Sequence, residues 1–157
     1  MPDSPVNDSA HTAPRIVIDT QVIMDWLVFR DPRVQALAQA VVGRQVQWIG
    51  EPAMLDELRH VLGRGVAAQF EPDLAWIESQ FEQHCQMIAS ASPPAVRLVC
   101  RDPDDQKFID LALAQRAHWL LSRDRAVLAL AKRARAQGLL ILNPDKWTPP
   151  PPAGLAA

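Results

Sequence analysis

Residues 15–19 read Arg-Ile-Val-Ile-Asp. Three consecutive β-branched apolar residues, bounded by Pro14 and closed by a carboxylate, predict a short strand buried on both faces, with Asp19 at its carboxyl end. Working outward, 46–49 (VQWI), about 97–99 (RLV), 118–121 (HWLL) and 139–142 (LLIL) read the same way. Between these runs, apolar residues recur at spacings of three and four over about 21–28, 33–42, 53–62, 73–88, 104–116 and 125–136, the period of helices with one buried face. Pro52, Pro72 and Pro103 stand where helices would begin, and Gly138 follows the last one as a stop signal. Strands that are apolar throughout and alternate with helices predict an α/β fold: a parallel sheet of about five strands, covered on both faces.

The length, 157 residues, fits one domain. A composition of 48% hydrophobic and 22% charged residues argues against disordered, collagen-like and coiled-coil classes. No stretch approaches the roughly 18 apolar residues of a membrane helix, and residues 1–14 lack the basic start and apolar run of a secretory signal. Two cysteines, Cys85 and Cys100, fit a reducing compartment better than a disulfide scaffold. The expectation is a cytoplasmic protein without membrane contact. The folded domain is read as 15–147. Residues 1–14 and the tail 148–157 (TPPPPAGLAA) are expected to be extended or disordered, and a trailing coil is preferred over a proline-rich ligand.

Net charge is −2, so no bulk attraction for nucleic acid exists, yet the cations are unevenly placed. Nine of the 16 Lys and Arg residues lie between 97 and 135. Arginine dominates, which suits forked phosphate contacts; a solvated helix face explains the run equally well.

Ligands of open parallel sheets sit at the carboxyl ends of the strands. Asp19 ends the first predicted strand. Glu51 and Glu57 follow the second, Asp102, Asp104 and Asp105 the predicted third at 97–99, and Asp124 the fourth. Helical geometry sorts these acids. Glu57 flanks the stripe of Met54, Leu58 and Val61, whereas Asp56 points away. Asp105 sits in the first turn above Phe108, Leu111 and Ala112, whereas Asp110 faces elsewhere. Asp19, Glu57, Asp105 and Asp124 can therefore converge; Asp25, Asp56 and Asp110 are not expected to. Converging carboxylates repel and lose hydration unless cations neutralise them. Oxygen donors without His or Cys suit Mg²⁺ or Mn²⁺, and the four histidines show no zinc-ligand spacing. Each acid also has a bland reading, because Asp102 and Asp124 are good helix caps and acids in a first turn complement the helix dipole.

The ordered set IVIDT (16–20), DELRHVL (56–62), CRDPDDQKFIDLA (100–112), AHWLLSRD (117–124) and ILNPDKW (141–147) resembles the PIN-domain family, and more narrowly its toxin–antitoxin branch. The resemblance implies a three-layer α/β/α sandwich and a Mg²⁺- or Mn²⁺-dependent endoribonuclease acting on single-stranded RNA. It implies a small antitoxin protein as partner and the possibility of a homodimer. Position by position, Asp19, Glu57, Asp105 and Asp124 match the family's acids. Asp19, Asp105 and Asp124 are carried over as metal ligands, and Lys107, Arg123 and Arg125 are candidate phosphate contacts by position and charge.

Two departures stand out. Gln21 replaces the family's usual asparagine, and Ala126 replaces an acid that many members carry. Both favour an alternative, a catalytically weak or inactive RNA-binding or protein-interaction module. A response-regulator receiver would need paired acids at the first strand, where only Asp19 stands.

Overall fold

A computed structural model describes residues 13–89 and 92–150. Residues 1–12 and 151–157, which hold most of the two predicted extended ends, lie outside the described residues. Five strands, β1 (Arg15–Ile18), β2 (Gln47–Gly50), β3 (Cys85–Met87), β4 (Trp119–Leu121) and β5 (Leu140–Leu142), form one sheet in the order β3-β2-β1-β4-β5. Every pairing is parallel. Ile16 faces Trp48 in β2 and Trp119 in β4, so the opening RIVI run is the central strand.

Seven α-helices are described, α1 (Thr20–Leu27), α2 (Gln35–Val42), α3 (Pro52–Gly63), α4 (Leu74–His84), α5 (Gln106–Ala114), α6 (Arg125–Leu128) and α7 (Ala131–Arg135), with four short 3-10 helices, one of them Pro103–Asp105. The period-two alternation of β1 sends Ile16 and Ile18 to one face and Val17 to the other. The first face packs Trp48 and Leu121 against Val22, Leu37, Ile77 and Phe81 from α1, α2 and α4. The second packs Val17, Ile49, Leu120 and Ile141 against Phe108, Leu111, Val127 and Ala134 from α5, α6 and α7. Helix α3 gives Leu58 to the first core and Met54 to the second. The architecture is the expected α/β/α sandwich. No described helix is long and apolar enough to cross a membrane.

Three expectations are corrected. Residues 97–99 are not a strand; the third strand is Cys85–Met87, inside the predicted helix 73–88. It pairs with β2 through Trp48–Cys85 and Gly50–Met87, and nothing in the sequence marks the helix end at His84. Residues 98–100 are instead held by one side chain. Gln106 accepts a hydrogen bond from the Cys100 amide (2.7 Å) and donates to the Leu98 carbonyl (2.8 Å), satisfying backbone groups that a neighbouring strand would otherwise pair. Asp102, Asp104 and Asp105 therefore follow this tethered segment, not a strand. Finally, the predicted helix 125–136 is two short helices, broken at Ala129 and Leu130.

Candidate functional site

The strand order places a crevice. From β1 the chain steps to β2 and β3 on one side, and β4 and β5 lie on the other. Loops leaving β1 and β4 therefore diverge at their carboxyl ends, the place where open α/β sheets bind ligands. Asp19 follows β1 and Asp124 lies just beyond β4, on either side of that switch. Together with Thr20, Gln21, Glu57, Val61, Asp105 and Arg123 they line a cleft of about 380 Å³. The four acids selected from the sequence thus share one cavity.

Helix capping fixes three of the aspartates. Asp19 Oδ1 accepts from the Gln21 amide (2.8 Å), Asp102 Oδ1 from the Asp104 amide (3.0 Å) and Asp124 Oδ1 from the Ala126 amide (2.7 Å). The capping reading and the ligand reading are compatible, since a cap uses one carboxylate oxygen and leaves the second for another partner. In Asp19, which is 5% exposed, Oδ2 takes the hydroxyl of fully buried Ser122 at 2.5 Å. Burial pushes the Asp19 carboxyl above its ordinary range, the Ser122 and Gln21 hydrogen bonds pull it back, and the charges of Asp124 and Glu57 push it further up.

Asp105 differs. Its side chain makes no capping bond at the start of α5, and its Oδ2 atom is buried without a hydrogen-bond partner. Desolvation, followed by the charges of Asp19, Asp124, Asp102 and Glu57, lifts its carboxyl to about 7. One ligand atom each from Asp102, Asp105 and Asp124 lie within 4.8 Å of one another. An unpaired buried carboxylate oxygen amid four other carboxylates is an arrangement that a divalent cation relieves. The all-oxygen donor set fits a hard ion of the Mg²⁺ or Mn²⁺ kind.

Asp102, which the sequence marks only as a helix cap, joins this group; its signal is its place at the head of the Asp-Pro-Asp-Asp run. Ser122 was also missed. Its signal is the Ser-Arg-Asp order, which sets the hydroxyl two residues before Asp124 and beneath Asp19. Asp25, though 5% exposed, is turned to Arg123 Nε (2.8 Å) and Gln21 Nε2 (3.2 Å). Asp56 points to solvent and pairs with Arg59, and Asp110 accepts from Gln106.

The three candidate phosphate contacts separate. Arg123 lines the cleft, but its nitrogens bond Asp25, Asn143 and Asp145. Lys107 is ion-paired with Glu57 and donates to the Asp104 carbonyl at 2.5 Å. Arg125 is exposed at the first turn of α6.

An α/β/α sandwich whose acids meet at the topological switch presents an all-oxygen donor set of the kind that holds a hard divalent cation. The profile of the PIN domain matches residues 15–126, more than half of the chain, and the protein belongs to that family. PIN domains are generally nucleases and typically use divalent metals. No curated protein matches the chain.

Proposed function

We propose that this protein is a divalent-metal-dependent endoribonuclease acting on single-stranded RNA. The observation that carries the reading is Asp105 Oδ2, buried and unpartnered among the carboxylates of Asp19, Glu57, Asp102 and Asp124. Asp102, Asp105 and Asp124 would hold the ion, Mg²⁺ or Mn²⁺. When bound, it supplies Lewis-acid stabilisation and an activated water for phosphodiester hydrolysis. Asp19, carried over from the resemblance as a ligand, has one carboxylate oxygen on the Gln21 amide and the other on Ser122, so Asp102 takes its place in the ligand set and Asp19 adds negative charge to the cleft. Arg125, exposed and next to Asp124 in the sequence, would be a cation available to a phosphate.

The RNA preference and a role as the toxin of a toxin–antitoxin pair, with a small antitoxin partner, rest on the ordered motif resemblance. The test is incubation of purified protein with a single-stranded RNA in Mn²⁺, Mg²⁺ or EDTA, beside Asp19→Ala and Asp105→Asn. Cleavage that needs metal and is lost in both variants is expected. Wild-type cleavage no greater than that of the variants sinks the reading, and RNA binding without cleavage favours the non-catalytic alternative. Growth arrest on expression, relieved by Asp19→Ala, tests the toxin role separately.

A further inference from the structure

The acids of the cleft fall into two sets. Asp102, Asp105 and Asp124 bring ligand atoms within 4.8 Å of one another, and among the described residues they form the one such group of three. Glu57 lines the same cleft from α3 but is outside that group. Its Oε1 atom is taken by the Lys107 ammonium, reaching from α5. The lysine is fixed from two further directions. Its Nζ donates to the Asp104 carbonyl at 2.5 Å and lies 4.9 Å from the centre of the Phe108 ring. Both partners are mostly shielded, with side chains 25% and 28% exposed. A shielded ammonium with several anchors is a localised charge, unlike a lysine swinging in solvent.

A carboxylate that already has a positive partner gains less from a metal, because the ion must displace or share that partner. We propose that Lys107 is the resident cation of the cleft. It neutralises Glu57 in the place a second metal ion would otherwise take, so that the protein binds a single divalent ion at Asp102, Asp105 and Asp124. Lys107 is a positioning residue in this scheme and not a phosphate contact. The inference rests on the metal-dependent reading and specifies its stoichiometry. The same-face spacing explains the pairing: Asp104 and Lys107 are three residues apart, so one helical turn turns the ammonium back over the acidic loop toward α3.

The experiment is calorimetric titration of the full-length protein with Mn²⁺, with bound ion counted independently from the electron paramagnetic resonance signal of free Mn²⁺. Wild type is expected to bind one Mn²⁺ per chain. Lys107→Met, which keeps the aliphatic stem and deletes the charge, is expected to bind two. Lys107→Arg should stay at one, and Lys107→Met combined with Glu57→Gln should return to one. Circular dichroism confirms that each variant is folded; if the methionine variant is not, Lys107→Gln, which likewise deletes the charge and is expected to bind two, carries the test, and one ion on the folded glutamine variant overturns the proposal. Two ions on wild type, or one ion on folded Lys107→Met, overturns the proposal. No bound Mn²⁺ on any variant overturns the metal-dependent reading itself, a result distinct from either.

Discussion

Ser122 Oγ donates to Asp19 Oδ2 at 2.5 Å, and the same oxygen accepts the Asp124 amide at 3.0 Å. One hydroxyl thus joins the ends of β1 and β4 and orients two acids on either side of the switch point. In Ser122→Ala the buried Asp19 carboxylate loses its side-chain donor. The expected cost is about 1–3 kcal/mol of stability in urea unfolding. Ser122 also accepts the backbone amide of Asp124, a proposed ligand, and outer hydrogen-bond partners of ligating groups tune metal affinity, so Mn²⁺ binding should weaken roughly 10–100-fold. Unchanged Mn²⁺ affinity would show that Asp124 needs no such support.

Asp105 makes metal-free stability depend on pH. Its carboxyl is raised from 3.8 to about 7, so between those values the folded protein keeps a proton that the unfolded chain releases. The stabilising contribution is complete below 3.8 and is lost as pH rises through about 7. Because the group is only half-buried, solvent screening reduces the size but not the sign. In EDTA, Asp105→Asn should gain stability relative to wild type as pH rises across this window, read as the difference in Tm. Saturating Mn²⁺ should reverse the order, and Mn²⁺ affinity of the wild type should fall as pH drops below 7. A pH-independent difference between the two proteins would contradict the assignment.

Arg123 distinguishes a structural cation from a substrate contact. It holds Asp25, whose side chain is 8% exposed, and reaches Asp145 and Asn143 near the carboxyl end of the domain. Removing one partner leaves the other charge buried and uncompensated. Arg123→Ala should therefore destabilise by roughly 2–3 kcal/mol, less than for a fully dry pair, and Asp25→Asn in that background should recover part of it. A phosphate contact predicts the opposite pattern, weaker RNA binding at unchanged stability, so chemical unfolding and RNA titration of the same variant separate the two.

The fold was legible where local chemistry and tertiary demand agreed. Ile16, Val17 and Ile18 alternate between two cores, which only a strand covered on both faces requires, and the carboxylate after them lands at the switch point. Legibility failed where a long-range contact overrode a local pattern. Phe81 and Cys85 continue a helical spacing, so the end of α4 is invisible until pairing with Trp48 makes Cys85 the start of β3. Arg97-Leu98-Val99 has strand-like composition, but the side chain of Gln106 satisfies that segment, and no rule of composition announces a side chain acting as a neighbouring strand. In the site, spacing placed Asp19, Glu57, Asp105 and Asp124 around one cleft. It could not show that Glu57 is answered by Lys107, or that Arg123, although it lines the cleft, is bonded to Asp25, because both depend on which of several cations a fold brings within reach.

The family profile ends at residue 126, yet the physical domain does not. Removing residues 127–157 would strip Val127, Leu130, Leu139, Ile141 and Trp147 from the cores and expose the edge of β4, which pairs with β5 through Trp119–Leu140 and Leu121–Leu142. Trp147, 6% exposed, packs edge-on against Trp119 with ring centres 5.6 Å apart. At roughly 1.5–3 kcal/mol per large apolar side chain, the loss is comparable to the about 5–15 kcal/mol that keeps a domain folded. A chain cut after Ala126 should show the circular dichroism of an unfolded protein. One cut after Trp147 should unfold at the midpoint of the full chain, as the reading of 15–147 as the folded unit requires. A cooperative transition in the shorter chain would mean that β5 and Trp147 are accessory to the sandwich, and that the acidic cleft is held by β1, β2 and β4 without them.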